Sequence, residues 1–426
     1  MYTKCIFSLF VLLFLINCAQ HDNKNKLDTL QKLEIGALCF ADCPFIPGPL
    51  INYSDKEPSS RSRLISSQEL IHANREQLAF GVNSNLGSSA SQYNFNVYYG
   101  ASMHEITYET VDTYGNIAIA SGVLWIPWKN GSLPIINFNH GTAVTFNTDW
   151  RLTGALFAAN GYITIVEDYL GYGKSASISH PYVHAASLSS STIDLIRAIK
   201  KFCKYNGIEL NQKLFLTGYS EGANASMSAL KEITNSNISD IQVTASAPGS
   251  GVYDLSTTAM NIIKPNNVLS GNMPVYVAFL LTSFNKTYNM NRSLNSFFST
   301  NVSSALSNGI FPRNDGFSVA KSLPANTSEL LNSQFLSDFA GSGETILKNY
   351  ISENNTYNFI PKTPVKLFAC QSDIDVPTHN TETAYNYFIN NGSKNIEKMV
   401  GPSSWGGHDE CSIPVYKNII DYFNSF

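Results

Sequence analysis

Short apolar segments alternate with amphipathic segments along most of the chain. Apolar runs typical of buried strands occur at residues 134–138, 163–166, 213–217, 243–247 and 365–369. Residues 187–202 and 224–233 instead place apolar side chains at helical spacing. Strands that are apolar throughout are typical of a parallel sheet covered on both faces. The pattern therefore predicts an α/β fold, with a mostly parallel sheet and helices on both of its faces.

Three other regions have different patterns. Residues 64–80 place four aliphatic side chains near one face, which predicts a helix. Residues 104–111 and 117–128 alternate around a turn and predict a hairpin. From 255 to 362 the strand pattern stops and aromatic clusters take its place, which predicts a mainly helical insertion. These patterns divide the chain into a first core part at 63–254, the insertion at 255–362 and a second core part at 363–426.

The N-terminus has the pattern of an export signal. Lys4 supplies a positive charge, and residues 6–16 are apolar except for Ser8. This run is shorter than the ~20 residues that span a bilayer, but it fits the core of a signal peptide. We expect a signal peptide at residues 1–17 and a tether or linker at 18–62.

The residues around the end of this signal leave the destination open. The sequence Leu15-Ile16-Asn17-Cys18 resembles the lipobox of bacterial lipoproteins, with Asn17 in place of the usual small residue. Lipidation of Cys18 would anchor the protein to a membrane of the cell envelope, in the periplasm or at the outer membrane. Plain secretion is the alternative.

Composition and charge exclude one class of partner. The 426 residues carry a net charge of −4 and only 14% are charged, so the chain lacks the basic surface that binds nucleic acid. Hydrophobic residues make up 43%, which suffices for a large core. Cys39 and Cys43 have no second cysteine or histidine pair nearby, so we expect no zinc site.

The strongest chemical motif is Gly218-Tyr219-Ser220-Glu221-Gly222, which follows an apolar strand and precedes a helix. That context is required for a nucleophile elbow, in which a tight turn lifts a serine above the sheet. Gly218 and Gly222 leave room for the strained serine backbone. We therefore expect Ser220 to be a nucleophile.

A nucleophilic serine needs a base and a group that orients the base. Asp373 lies in the loop after the strand at 365–369, and Asp375 is its rival. Both could instead cap a helix that starts near Pro377. His408 lies between glycines and a final helix, as expected for the order serine, acid, histidine. We favour Asp373 as the acid and His408 as the base.

Acyl transfer also needs donors for the developing oxyanion. One should be the backbone amide of Glu221, directly after the nucleophile. The other should come from the loop after residues 134–138, where Thr142 is our first candidate and Gly141 the second. His140, in the same loop, is expected to be a structural support.

Together, the elbow, the His140-Gly141-Thr142 loop, Asp373 and His408 resemble the α/β-hydrolase fold, and within it the secretory lipase/esterase group. The resemblance covers residues 64–426. It implies an eight-stranded sheet, a lid inserted after strand six, and hydrolysis of carboxylic esters without a cofactor. The aromatic and aliphatic side chains of the insertion would then either line an acyl pocket or mobile lid, or form the insertion's own core.

Two further questions stay open at this level. A disulfide between Cys370 and Cys411 would tether the acid loop to the histidine loop, and buried free thiols are the alternative. The leading hypothesis for function is an exported serine ester hydrolase acting on a small-molecule or lipid ester. A serine peptidase on the same fold and a non-catalytic surface protein are the alternatives.

Overall fold

The computed structural model describes residue 50 and residues 52–426. Its strands are β1 (Leu64–Ala73), β2 (Ala101–Val111), β3 (Ile117–Pro127), β4 (Leu133–Asn139), β5 (Ile163–Glu167), β6 (Leu210–Tyr219), β7 (Ala245–Gly249), β8 (Val365–Cys370) and β9 (Ile396–Gly401). They form one nine-stranded sheet in the order β1-β2-β3-β5-β4-β6-β7-β8-β9. The pairs among β1, β2, β3 and β5 are antiparallel, and those from β5 to β9 are parallel. The predicted mostly parallel sheet is confirmed.

The first strand corrects two expectations. Residues 64–80 were expected to be helical, but Leu64–Ala73 is an edge strand that pairs with β2, and it makes nine strands where the resemblance implies eight. A helix begins only after Asn74, whose side chain accepts a hydrogen bond from the Gln77 amide while Gln77 caps the Asn74 amide in return. This capping box ends the strand, because it satisfies the first free amides of the helix. Pairing with β2 decides the conformation of the residues before it.

Helices cover both faces of the sheet, as predicted. They are α1 (Arg75–Leu86), α2 (Ser88–Gln92), α3 (Gly154–Ala158), α4 (Ala185–Tyr205), α5 (Glu221–Asn235), α6 (Leu255–Ile262), α7 (Met273–Thr287), α8 (Thr300–Leu306), α9 (Gly316–Ser322), α10 (Thr327–Leu330), α11 (Ser333–Ala340), α12 (Thr345–Glu353), α13 (His379–Asn390) and α14 (His408–Phe423). Helices α4, α5 and α13 contribute Ile196, Met227 and Phe388 to one core cluster. Helices α3 and α14 contribute Phe157 and Ile419 to a second. The sheet is thus buried between two apolar layers.

Helices α6–α12 lie between β7 and β8, within the predicted insertion at 255–362, which we call the cap. The cap has its own apolar cluster, to which the aromatic side chains of residues 279, 297, 335 and 339 belong. Tyr182 and Val183, from outside the cap, join the same cluster. Most of the aromatic residues noted in the sequence therefore form the core of the cap itself.

Several expectations fall on the N-terminal part of the chain. The signal peptide at 1–17, the lipidation site Cys18, most of the tether at 18–62, and Cys39 and Cys43 lie outside the described residues. From residue 52 onward, no helix combines the length and the apolarity needed to cross a bilayer.

Candidate active site

Ser220 occupies the sharp turn between β6 and α5. Its backbone has a φ of 60° and a ψ of −123°, a strained conformation for a residue with a Cβ atom. A Cβ on Gly222 would lie 1.9 Å from the carbonyl oxygen of Asn139, and one on Gly218 would lie 2.3 Å from the carbonyl oxygen of Gly222. Only glycine fits at these two positions, because the turn packs directly against the end of β4.

Asp373 lies in the loop after β8 and binds His408, the first residue of α14. Asp373 Oδ2 accepts a hydrogen bond of 2.7 Å from His408 Nδ1. Its other oxygen, Oδ1, accepts from the amides of Asp375 at 3.0 Å and Val376 at 2.8 Å. The carboxylate is buried, so these three donors hold both the charge and its orientation.

The rival acid, Asp375, points towards the cap. Its Oδ1 accepts from the Asn272 amide at 3.2 Å, and its Oδ2 accepts from Asn272 Nδ2 at 2.9 Å and from the Tyr276 hydroxyl at 3.2 Å. The hydrogen bonds of the described chain include none between Asp375 and His408. The geometry therefore gives the two acids separate positions, Asp373 on the histidine and Asp375 on the first turn of α7.

The histidine lies beside the elbow. The rings of His408 and Tyr219 are 5.0 Å apart between centroids, and the Tyr219 hydroxyl donates a 2.7 Å hydrogen bond to the His408 carbonyl oxygen. No direct hydrogen bond joins Ser220 Oγ to His408 in the described part of the chain, and His408 Nε2 has no protein partner there. Catalytic hydrogen bonds often tighten only when substrate binds. The free nitrogen is the one that a serine base requires.

Burial and charge act in opposite directions on His408. Burial lowers the pKa of this imidazole, because a low dielectric disfavours the cation. The hydrogen bond and charge of Asp373, together with the charges of Asp375 and Asp409, outweigh burial, so the pKa of His408 is raised above its usual value. The ring can therefore hold a proton more readily than a histidine exposed to water.

A disulfide connects the two loops that carry this pair. Cys370 and Cys411 are bonded, with Cα atoms 6.3 Å apart. Cys370 ends β8 just before Asp373, and Cys411 lies in the first turn of α14 just after His408. The disulfide restrains the acid and the histidine to one position relative to each other.

The third cysteine of the described chain, Cys203, is free and buried, and burial raises the pKa of its thiol to about 12.

The proposed oxyanion donors flank the serine. Glu221 is the first residue of α5, where backbone amides have no partner within the helix. A Cβ on Gly141 would lie 3.4 Å from Ser220 Cβ, so the loop after β4 passes beside the nucleophile. Thr142 follows, its hydroxyl 3.0 Å from that of Tyr182. In the described structure, the amides of residues 141, 142 and 221 donate to no protein acceptor, which leaves them available to an oxyanion.

The role expected for His140 agrees with its surroundings. Its ring stacks on Trp150 at 4.0 Å between centroids and lies 4.2 Å from Tyr169. Burial lowers the pKa of His140 to about 4, so the ring is neutral near neutral pH. It packs the loop that carries the candidate donors.

Sequence reasoning missed a buried pair behind the elbow. His180 Nε2 lies 2.8 Å from Glu221 Oε1, and His180 Nδ1 lies 2.7 Å from the carbonyl oxygen of Leu170. The Glu221 carboxylate also accepts from the Val183 amide at 3.3 Å. Both residues of the pair are buried. The side chain of Glu221 thus connects the elbow to the segment that contacts the cap.

Two cavities adjoin these groups. The first contains about 570 Å³ of empty space, part of it open to solvent; Ser220 and Glu221 lie in its wall, and the rest of the wall is largely apolar and comes mainly from α6 and α7. The second is a cleft of about 1510 Å³ between the loop at 142–150 and the cap. Thr142 and Asp409, the neighbour of His408, lie on its wall. Residues 52–426 contain no cluster of three or more histidine, cysteine or acidic side chains placed to hold a metal ion.

Comparison with solved structures identifies the fold. A proposed hydrolase of Legionella pneumophila matches with a TM-score of 0.74 at 24% identity, over 85% of this chain and 97% of that one. The rice cell wall degrading esterase LipA of Xanthomonas oryzae matches with a TM-score of 0.73 at 25% identity, over 84% and 98%. Candida antarctica lipase A matches with a TM-score of 0.57 at 17% identity, over 82% and 78%. The second is an esterase and the third a lipase, and the matches identify the α/β-hydrolase fold.

Sequence comparison identifies the family. Comparison with curated proteins finds no match to this sequence. The model of the secretory lipase family, however, matches residues 140–401, which is more than half of the chain and includes the elbow and the acid loop. The predicted resemblance is confirmed: the chain belongs to the secretory lipase family.

Proposed function

We propose that this protein is an exported serine carboxylic-ester hydrolase whose catalytic residues are Ser220, His408 and Asp373. The observation that carries the proposal is the 2.7 Å hydrogen bond from His408 Nδ1 to the buried Asp373 carboxylate, beside a strained serine turn. That bond selects the tautomer in which Nε2 can accept a proton. Membership of the secretory lipase family supports ester hydrolysis as the activity.

The first half of the reaction forms an acyl-enzyme. Ser220 Oγ attacks the ester carbonyl carbon while its proton passes to His408 Nε2. The carbonyl oxygen becomes an oxyanion, which the amides of Glu221 and Thr142 stabilise. The tetrahedral intermediate then collapses, the bond to the alcohol oxygen breaks, and the alcohol leaves with the proton from Nε2.

The second half releases the acid. Water gives a proton to His408 Nε2 and attacks the acyl carbonyl, and a second oxyanion forms at the same donors. Collapse breaks the bond to Ser220 Oγ, which takes the proton back. Throughout, Asp373 stabilises the imidazolium that forms in each half. Donors fixed by the fold need no reorganisation when charge develops, which is why such sites lower the barrier strongly.

The lining of the first cavity supports the proposal that the acyl group of the substrate binds next to Ser220. Its apolar wall favours a hydrocarbon chain, since burial of each CH₂ contributes about 0.8 kcal/mol. The proposal therefore includes esters of aliphatic acids, and it requires no cofactor.

The export part of the proposal rests on the N-terminal sequence and on the family. Residues 1–17 are proposed to be removed as a signal peptide, and Cys18 is the proposed lipidation site. Intact-mass measurement of the envelope-associated protein tests both. An unmodified mature N-terminus in the culture supernatant would support plain secretion.

Loss of the nucleophile tests the proposed chemistry. Ser220→Ala should lower kcat for p-nitrophenyl butyrate by about 10⁶-fold and abolish labelling by a fluorophosphonate probe, because the acyl-enzyme cannot form. Ser236→Ala, at the exposed far end of α5, is the matched control and should keep both. A folded Ser220→Ala protein with unchanged hydrolysis would refute the assignment. Hydrolysis of peptides but not of esters would favour the peptidase alternative.

A further inference from the structure

Tyr276 lies in the walls of both cavities at the candidate active site. The apolar cavity contains Ser220 and Glu221 in its wall, and the larger cleft contains Thr142 and Asp409. Of the described residues that line them, only Tyr276 belongs to both walls. Tyr276 therefore lies between a space that reaches the nucleophile Ser220 and a space that reaches Thr142 and the neighbour of His408.

The two spaces differ in chemistry. The wall of the apolar cavity includes Leu255, Ile262, Met273, Val277 and Leu280. The cleft instead includes Asn147, Asp149, Lys321 and Asp409 beside its apolar residues. An aliphatic chain gains most by leaving water for the first space, whereas a polar group keeps hydrogen-bonding partners in the second.

A hydrogen bond connects the Tyr276 hydroxyl to the loop that carries the proposed catalytic acid. The Tyr276 hydroxyl donates to Asp375 Oδ2 at 3.2 Å, and the Asp375 amide donates to Asp373 Oδ1 at 3.0 Å. Asn272, one turn earlier, also binds Asp375 through its amide and its side chain. Tyr276 thus contacts the acid loop through its hydroxyl, while its ring is carried by α7.

We propose that Tyr276 is a specificity-determining residue: its ring is the partition that confines the acyl chain to the apolar cavity and keeps the alcohol portion of the ester in the cleft. This inference rests on the proposed ester hydrolase function. The partition closes one side of the acyl space, so the length of chain that fits is limited at Tyr276. Removing the ring joins the two spaces and gives longer chains a continuous path.

The length preference of a matched set of variants tests the partition. We would measure kcat/KM for p-nitrophenyl esters from butyrate to dodecanoate. In Tyr276→Ala, the ratio for dodecanoate over butyrate should rise at least about tenfold, the scale on which a few methylenes change specificity in an apolar pocket. Tyr276→Phe keeps the ring and should hold the ratio within about twofold of wild type.

A control variant in the cap distinguishes loss of the partition from a general loosening of the packing of the cap. Tyr350 is a half-buried tyrosine of α12 that stacks on Tyr288 at 3.9 Å and lines neither cavity. Tyr350→Ala should leave the length profile unchanged. If Tyr276→Ala does not fold, Tyr276→Val opens the same wall. A folded Tyr276→Ala or Tyr276→Val protein with the wild-type profile would overturn the inference, as would an equal shift in Tyr350→Ala.

A binding measurement separates this inference from the proposed function. Calorimetry of butyrate and dodecanoate with Ser220→Ala needs no turnover. Adding Tyr276→Ala should raise the affinity for dodecanoate relative to butyrate. If the wild type neither hydrolyses esters nor reacts with a fluorophosphonate, the function fails while the binding shift still supports the partition. If esters are hydrolysed and neither binding nor length preference shifts, only the partition fails.

Discussion

Replacing Asp373 by asparagine tests the acid assignment and keeps a side chain of nearly the same shape at this position. The asparagine oxygen can still accept from the amides of Asp375 and Val376, which lie 3.0 and 2.8 Å from Oδ1. The NH₂ group then takes the place of Oδ2, which is 2.7 Å from His408 Nδ1. Two donors cannot face each other, so His408 must move its proton to Nε2. A ring protonated at Nε2 cannot accept the proton of Ser220.

The expected cost follows from the loss of that base. A wrong tautomer and an unstabilised imidazolium together lower kcat by about 10⁴-fold, which corresponds to about 5 kcal/mol of barrier. We would measure kcat on p-nitrophenyl butyrate and check folding by thermal unfolding. Asp375→Asn is the matched control, because its side chain binds Asn272 and Tyr276 and not the histidine. Its kcat should stay within about tenfold of wild type.

The reverse ranking of these two variants would refute the reasoning. If folded Asp373→Asn kept most of its activity while Asp375→Asn lost about 10³-fold or more, the acid would be Asp375 and the loop would have to rearrange on substrate binding. Equal, small decreases in kcat in both variants would show that neither carboxylate is needed for the mechanism.

Three further predictions concern pH and stability. Burial lowers the pKa of His408, but the hydrogen bond to Asp373 and the charges of Asp373, Asp375 and Asp409 together raise it, so kcat/KM should fall on the acid side with a midpoint above the ~6.5 of an unperturbed histidine; a midpoint below it would contradict this. Burial raises the pKa of Glu167 to about 8, so the folded state binds an extra proton between about pH 4.3 and 8, and its contribution to stability falls as pH rises through that window. Urea titrations should therefore show that the unfolding free energy of Glu167→Gln rises relative to that of the wild type between pH 5 and pH 8. A difference in unfolding free energy that does not change with pH would contradict this. The disulfide from Cys370 to Cys411 spans 41 positions, and its double replacement by alanine should lower the unfolding free energy by about 4 kcal/mol, with unchanged denaturant midpoints as the contrary outcome.

Features encoded within a few neighbouring residues could be predicted from the sequence. The elbow needs only a strand, a serine between glycines and a helix, and the steric reasons for Gly218 and Gly222 act over a few residues and the adjoining end of β4. The alternation of apolar strands with helices likewise indicated the mostly parallel sheet. The assignment of the individual catalytic residues stays a prediction until the variants are measured.

Edge strands were harder, because their pairing partner decides the conformation. Residues Leu64–Ala73 have aliphatic side chains that fit a helical face almost as well as a strand, and pairing with β2 selects the strand. The capping box at Asn74 and Gln77 was the local signal that could have located the start of the helix. Strand β9, Ile396–Gly401, was missed for another reason: its exposed glutamate and lysine break the apolar run that marks buried strands.

Contacts between distant segments could not be predicted from local sequence patterns. Asp373 and Asp375 are two residues apart, and only the position of the cap shows that one binds His408 while the other binds α7. The pairing of His180 with Glu221 bridges 41 positions, and neither residue carries a local motif for it. Tyr276 looked like one more aromatic residue of the insertion, because its place between two cavities depends on how the cap folds over the sheet.

The point where the cap leaves the sheet has an evolutionary consequence. Strands β7 and β8, which it connects, are parallel neighbours paired at Ser246 with Val365 and at Gly249 with Phe368. A segment that departs and returns at adjacent strands can be lengthened, shortened or replaced without shifting the register of the strands around it. A different segment at this point would change the space above the candidate active site and leave the strands that carry its residues in register.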